Sequence, residues 1–209
     1  MRSLDRVLQR WRANKARPFI PAGARVLDIG CHQGEFLRSL GDHIAPSVGI
    51  DPLAEPEMQA RYSIVRDFFH EPTPFPDESF DAIVMLATLE HIRDKDTLGR
   101  ECNRLLCPGG RVIITVPSSQ VDIIVEWLCR LRLADGMSLE EHHGFDPRTT
   151  PKVFRRHGFA LEYSRRFQLG LNHLFVLRKR ADAPISKPVM ATRADPVSFP
   201  ALVSCLIRS

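Results

Sequence analysis

Five near-continuous apolar runs constrain this chain more than any other feature. They are RVLDI (25–29), SVGID (47–51), YSIVR (62–66), FDAIVML (80–86) and RVIITVP (111–117). A strand buried on both faces loses the polar–apolar alternation of a half-exposed strand, and these runs have lost it. Helix-like stretches lie between several of them: Gly34 to Leu40, about Glu55 to Ala60, and Asp94 to Leu106. Strands that alternate with helices imply a parallel sheet covered on both sides. Two later runs, 159–168 and 173–180, are joined through Gly170 and Asn172 and predict an antiparallel pair, with a short helix over 149–157 before them. The expected architecture is α/β: a doubly wound, seven-stranded, mostly parallel sheet with an antiparallel last strand.

The ends read differently. Residues 3–14 place Leu4, Val7, Leu8 and Trp11 at helical spacing among Arg2, Arg6, Arg10 and Arg12. This is a short basic amphipathic helix, expected to pack on its own domain. Residues 1–21 are therefore helix and lead-in, and 22–180 the main domain. The apolar-faced helix over 119–133 interrupts the alternation and marks 118–145 as an insertion or lid. Residues 181–209 carry Pro184, Pro188, Pro196 and Pro200 without periodicity and are expected to form a disordered tail.

A length of 209 residues suits one domain with extensions, and 44% apolar content suits a real core. The net charge of +4, from 29 basic and 25 acidic residues, is too mild to mark a nucleic-acid binder. Five cysteines, an odd number with no C-x-x-C pair, predict reduced thiols and a cytoplasmic protein. No segment approaches the ~20 apolar residues of a membrane span.

In a doubly wound sheet, ligands sit at the carboxyl ends of the strands. Asp28 lies there on the first run, and Gly30 and Gly34 bracket the turn that follows. Asp51 ends the second run, where a carboxylate can accept hydrogen bonds from both hydroxyls of a ribose. Two nucleoside ligands compete. A dinucleotide site, as in an oxidoreductase, wants G-x-G-x-x-G and a pyrophosphate on the helix N-terminus. This loop reads G-C-H-Q-G, without the middle glycine. An acid before the loop suits an ammonium or sulfonium better than an anion, which favours S-adenosylmethionine.

The motifs also resemble a known family. VLDIGCHQGEFL (26–37) looks like motif I of the class I S-adenosylmethionine-dependent methyltransferases, which have a Rossmann-like fold. FPDESFDAIVMLATLEHI (75–92) resembles their fourth-strand region, LLCPGGRVIITVPS (105–118) their fifth-strand entry, and His142-His143-Gly144-Phe145 with Gly158-Phe159 the late stretch of their small-molecule members. The resemblance spans about residues 22–180. It implies that Asp28, Gly30, Cys31, Gly34, Asp51, Asp67 and Phe68 bind S-adenosylmethionine, with Asp51 on the ribose, Asp67 on the adenine amine and Phe68 beside the adenine. His32 stands where most members have glycine. A histidine tolerates positive φ better than a β-branched residue.

The implied reaction is in-line methyl transfer to a small-molecule or saccharide-like acceptor at oxygen, nitrogen or carbon. A general base helps only where the nucleophile must lose a proton. His91 is the candidate on the acceptor side, since imidazole titrates near neutral pH. His142 and His143 lack a third ligand at helpful spacing, so no metal is expected. The Asn/Asp-Pro-Pro-Tyr/Phe stretch of amino methyltransferases is replaced by Met85-Leu86-Ala87-Thr88, so no nucleic-acid acceptor is expected. A silent fold that only binds a partner is the second functional reading. Acceptor identity and oligomeric state stay open at this level.

Overall fold

In the computed structural model, described over residues 3–118 and 146–181 with side chains from residue 6, the apolar runs become strands of one sheet. The elements are helix α1 (Ser3–Ala16), β1 (Val26–Ile29), α2 (Glu35–Leu40), β2 (Ser47–Ile50), β3 (Glu57–Met58), β4 (Tyr62–Val65) and β5 (Phe80–Leu86). They continue with α3 (Lys95–Leu105), β6 (Leu106–Pro117), α4 (Thr150–Arg156), β7 (Phe159–Phe167) and β8 (Asn172–Lys179). The strand order is β3-β4-β2-β1-β5-β6-β8-β7. From β1 the chain builds outward through β2 to β4, then jumps back to β5 on the other side of β1. That reversal opens a crevice at the carboxyl ends of β1 and β5. The last strand, β8, runs antiparallel to β6 and to β7, as expected.

The eighth strand is a difference. Glu57–Met58 pairs antiparallel with β4 where a helix over 55–60 is expected. Pro52 and Pro56 leave that stretch too short for a stable helix. The Glu57 carboxylate accepts hydrogen bonds from Arg38 Nη2 (2.8 Å) and the Tyr62 hydroxyl (3.1 Å), which hold the segment along the edge of β4.

Alternate residues of each central strand feed two cores, which explains the lost periodicity. Leu27, Ile83, Met85, Val112 and Ile114 face α3 and α4, with Phe75, Phe80, Phe154 and Phe159. Val26, Ala82, Val84, Ile113 and Val176 face the other way, onto Leu37 and Leu40 of α2 and Ala16 of α1. Each fully buried side chain of this size stabilises the fold by about 1.5–3 kcal/mol. Helix α1 forms where its periodicity predicts, but it does not bury the predicted face. Val7 and Trp11 are 56% and 42% exposed, and Ala13 and Ala16 pack inward instead. The helix 119–133, His142, His143 and the chain beyond residue 181 lie outside the described residues.

Two buried polar arrangements brace α3. Lys179 Nζ donates to the carbonyls of Asn103 and Leu106, both at 2.8 Å, at the end of that helix. A cation there opposes the negative end of the helix dipole. Burial pushes the Lys179 pKa down, against a smaller upward pull from Glu78. Glu101, 1% exposed, accepts from the Thr73 amide and hydroxyl and from Arg104.

Candidate functional site

The loop after β1 is pinned across the end of β2. The amides of Gly30 and Cys31 both donate to the Ile50 carbonyl, at 2.8 and 3.3 Å. Gly30 sits at φ +74°, and a Cβ built on it would lie 2.3 Å from Thr88 Oγ1. No side chain fits there, so bare backbone faces the crevice. Gly34, at φ +76°, opens α2 with its Cα against Ile64, and it borders none of the cavities described below.

His32 occupies φ +51°, the left-handed region that glycine would adopt without cost. Its amide donates to Asp51 Oδ2 (2.9 Å), and its ring Nδ1 lies 3.1 Å from Glu35 Oε1. The imidazole therefore sits on the α2 side of the loop beside Glu35. The Leu53 amide donates to the other oxygen of Asp51 at 2.8 Å. Held at both oxygens, the carboxylate is fixed before any ligand arrives, and each oxygen keeps a further lone pair.

Asp28 is 2% exposed. Burial pushes its pKa up to about 8, and the charges of Asp51 and Glu35 add to the rise. Burial also pushes the Cys31 thiol up, reinforced by Asp28 and Asp51, so it is no ready nucleophile. Asp67 Oδ1 accepts from the Phe68 amide (2.8 Å), and the Phe68 ring is 72% exposed. His91 closes a single 3-10 turn, Leu89–His91, at the exit of β5.

Three cavities meet at Gly30. One of about 560 Å³ lies between α1 and α2, with Asp28, Cys31 and Glu35 facing Arg6 and Arg10. A second, about 480 Å³, is bordered by Ile29, Ile50, Asp67, Phe68, His91 and Ile92. The third and largest of these, about 920 Å³, is bordered by Asp51, Phe68, Thr88, Glu90 and His91. The structure thus brings Asp28, Gly30, Cys31, Asp51, Asp67, Phe68 and His91 around one point. Sequence reasoning missed α1 as a wall. Its Arg6, Gln9, Arg10, Ala13 and Asn14 line the first cavity. Their spacing forms one helical stripe, a signal overshadowed by the apolar stripe of Val7 and Trp11. Thr88, whose side chain closes on Gly30, was also missed. Among the described residues no cluster could hold a metal ion, and no helix is long and apolar enough to cross a membrane.

S-adenosylmethionine fits this set of residues. A buried acid and two arginines match the opposite charges of an amino-acid end, a carboxylate on the other side of Gly30 suits a ribose, and an exposed aromatic ring can pack on adenine.

Comparison with known proteins agrees. A family model described as a methyltransferase domain matches residues 2–164. A relative from Mycolicibacterium smegmatis, named "Probable S-adenosylmethionine-dependent methyltransferase", is 29% identical over 182 residues, 81% of this chain and 70% of its own. The ubiquinone biosynthesis O-methyltransferase of Xanthomonas oryzae is 35% identical over 107 residues, 45% of this chain; the aligned part is 43% of that protein, less than half its length. An S-adenosylmethionine-dependent methyltransferase from Mesorhizobium loti shares the fold, with a TM-score of 0.60 at 19% identity over 79% of this chain and 96% of that one. The buried acid, the pinned glycine loop and the family match agree: the chain belongs to the methyltransferase-domain family and is an S-adenosylmethionine-dependent methyltransferase.

Proposed function

We propose that the protein methylates a small-molecule acceptor, with a hydroxyl as the favoured nucleophile. The carrying observation is the meeting at Gly30 of three cavities lined by Asp28, Asp51, Asp67, Phe68 and His91, so that the residues assigned to cofactor and acceptor surround one bare stretch of backbone. The match to ubiquinone biosynthesis O-methyltransferases supports oxygen over nitrogen. In this reading Asp28 accepts the ammonium of the cofactor, and Arg6 and Arg10 face its carboxylate. Neither arginine is paired with an acid among the described residues. Asp51 accepts the two ribose hydroxyls, Asp67 the adenine amine, and Phe68 packs on the base.

Bound S-adenosylmethionine supplies a sulfonium-activated methyl. The protein's main task is alignment, which can lower the barrier by roughly 7–11 kcal/mol. His91, bordering the two cavities on the Asp51–Asp67 side, takes the proton from the acceptor hydroxyl as the new C–O bond forms and the C–S bond breaks. Residues 22–180 with helix α1 act as one working unit.

Titration calorimetry with S-adenosylhomocysteine, beside Asp51→Ala, tests the cofactor assignment. Micromolar binding weakened at least tenfold in the variant supports it. Equal affinity in the two proteins overturns the role of Asp51, and no binding to the folded wild type overturns the enzyme reading.

A further inference from the structure

Away from Gly30, a smaller concavity of about 240 Å³ lies where β6 ends beside the β7–β8 hairpin. Arg148, just before α4, and Arg166 of β7 converge there with His173 of β8. Arg166 and His173 are register partners, and His173 is also paired with Val116 of β6. Side chains opposite one another on paired strands stand on the same face, so both address one surface.

Among the described residues the charge in this concavity is unbalanced. Arg25, Arg38, Arg66, Arg104 and Arg111 each hold a carboxylate within 3.0 Å. Arg148 and Arg166 hold none among the described residues. The one acid on the rim among the described residues, Asp146, accepts the Arg148 amide at 2.9 Å and caps the turn. Burial pushes the His173 pKa down, and the two guanidiniums push it further, against a smaller upward pull from Asp146. Like charges gathered around an imidazole repel unless an anion joins them.

The adjoining space, about 450 Å³, shares Arg148, Arg166 and His173 and adds Pro151, Leu161 and Phe175. The His173 ring stacks on Phe175, with centroids 5.9 Å apart. An oxyanion next to an apolar or aromatic body would find both partners here. Strand spacing fixes the reach. His173 lies two strands from β5, about 10 Å, at the carboxyl end that carries Thr88 and His91.

We infer that Arg148, Arg166 and His173 form an oxyanion-binding subsite that anchors a phosphate or carboxylate group of the acceptor, two strands across the sheet from the exit of β5. The acceptor role rests on the methyltransferase reading, and the anion site does not. The two guanidiniums supply charged donors to an oxyanion, and His173 supplies a further N–H.

Phenyl phosphate and benzoate are the probes, with benzyl alcohol as the neutral control. Their binding to the full chain is followed by calorimetry and by the imidazole NMR signals of His173. S-adenosylhomocysteine affinity is measured in parallel. The expected result is binding of one or both anions with a shifted His173 signal, no response to benzyl alcohol, and at least tenfold weaker binding in Arg148→Gln/Arg166→Gln. That variant keeps wild-type affinity for S-adenosylhomocysteine. A preference for phenyl phosphate or benzoate identifies which oxyanion the acceptor carries. Anion binding unchanged in the double variant, or no anion binding to the folded wild type, overturns the proposal. Anion binding by a protein that fails to bind S-adenosylhomocysteine supports the subsite and sinks the methyltransferase reading instead.

Discussion

Cofactor affinity should depend steeply on pH because of one residue. The Asp28 pKa of about 8 in the free protein comes from burial and from the charges of Asp51 and Glu35. An ammonium placed against this carboxylate favours the ionised form, so binding expels the proton. At pH 6 about 1% of Asp28 is ionised and at pH 7 about 9%, so affinity for S-adenosylhomocysteine should rise roughly tenfold over that unit, or about 1.4 kcal/mol. At pH 7 about 0.9 proton should leave per ligand bound. Calorimetry in two buffers of different ionisation enthalpy counts that proton directly. Asp28→Asn should bind more weakly, without proton release and with a flat pH profile. Wild-type affinity that is level between pH 6 and 7, or proton release equal to that of Asp28→Asn, refutes the reasoning. The sign for stability is opposite. A carboxyl whose folded pKa is raised costs the fold stability as pH climbs from about 4 to about 8. Asp28→Asn should therefore melt higher than wild type at pH 9, by up to ~5 kcal/mol of stability if the whole shift is realised.

Other positions allow shorter tests. Gly30→Ala, whose Cβ would meet the Thr88 hydroxyl, should abolish cofactor binding in calorimetry, and wild-type affinity would remove the close approach from the argument. His32→Gly should be as stable as wild type or slightly more so in urea unfolding. His32→Val should lose roughly 1–2 kcal/mol, because a β-branched residue resists φ +51°. Lys179→Met strips two carbonyls of a buried donor and should cost roughly 2–3 kcal/mol in the same assay, with a loss under 0.5 kcal/mol counting against it. His91→Gln should lower kcat for a hydroxyl acceptor by about 10²–10⁴ while leaving S-adenosylhomocysteine affinity unchanged, and a change under threefold would remove it as the base.

The central strands were legible because burial on both faces leaves a mark in local sequence. The same holds for Asp28 and Gly30, whose spacing is set within one loop. Contacts between distant segments left no such mark. Thr73, Asp77, Glu101 and Arg104 share one network over 32 positions, and none of them signals the others. The stretch at 55–60 has helix-like composition, but Arg38 and Tyr62, which hold it as an edge strand, come from elsewhere in the chain. In α1 the apolar stripe was visible, yet the sheet took the two small alanines because only they permit close approach. Histidine at position 32 is a residue type that tolerates positive φ, but that the loop requires it there came only with the structure. The route of its side chain toward Glu35 required the structure.

A hydrogen bond from Gln168 Nε2 to the Leu8 carbonyl, 3.2 Å long, fastens the hairpin between β7 and β8 to α1. Gln168 is itself bonded to Asn172, and the hairpin tip, Leu169, stands 99% exposed. This joins the first helix to the last two strands of the sheet like a clasp. The acceptor that backbone carbonyl provides survives almost any change of the Leu8 side chain. Substitutions along α1 can thus reshape one wall of the cavity while the clasp stays shut. Changes at Arg6 or Arg10 would in this way retune the grip on the cofactor's carboxylate end without unfastening the hairpin.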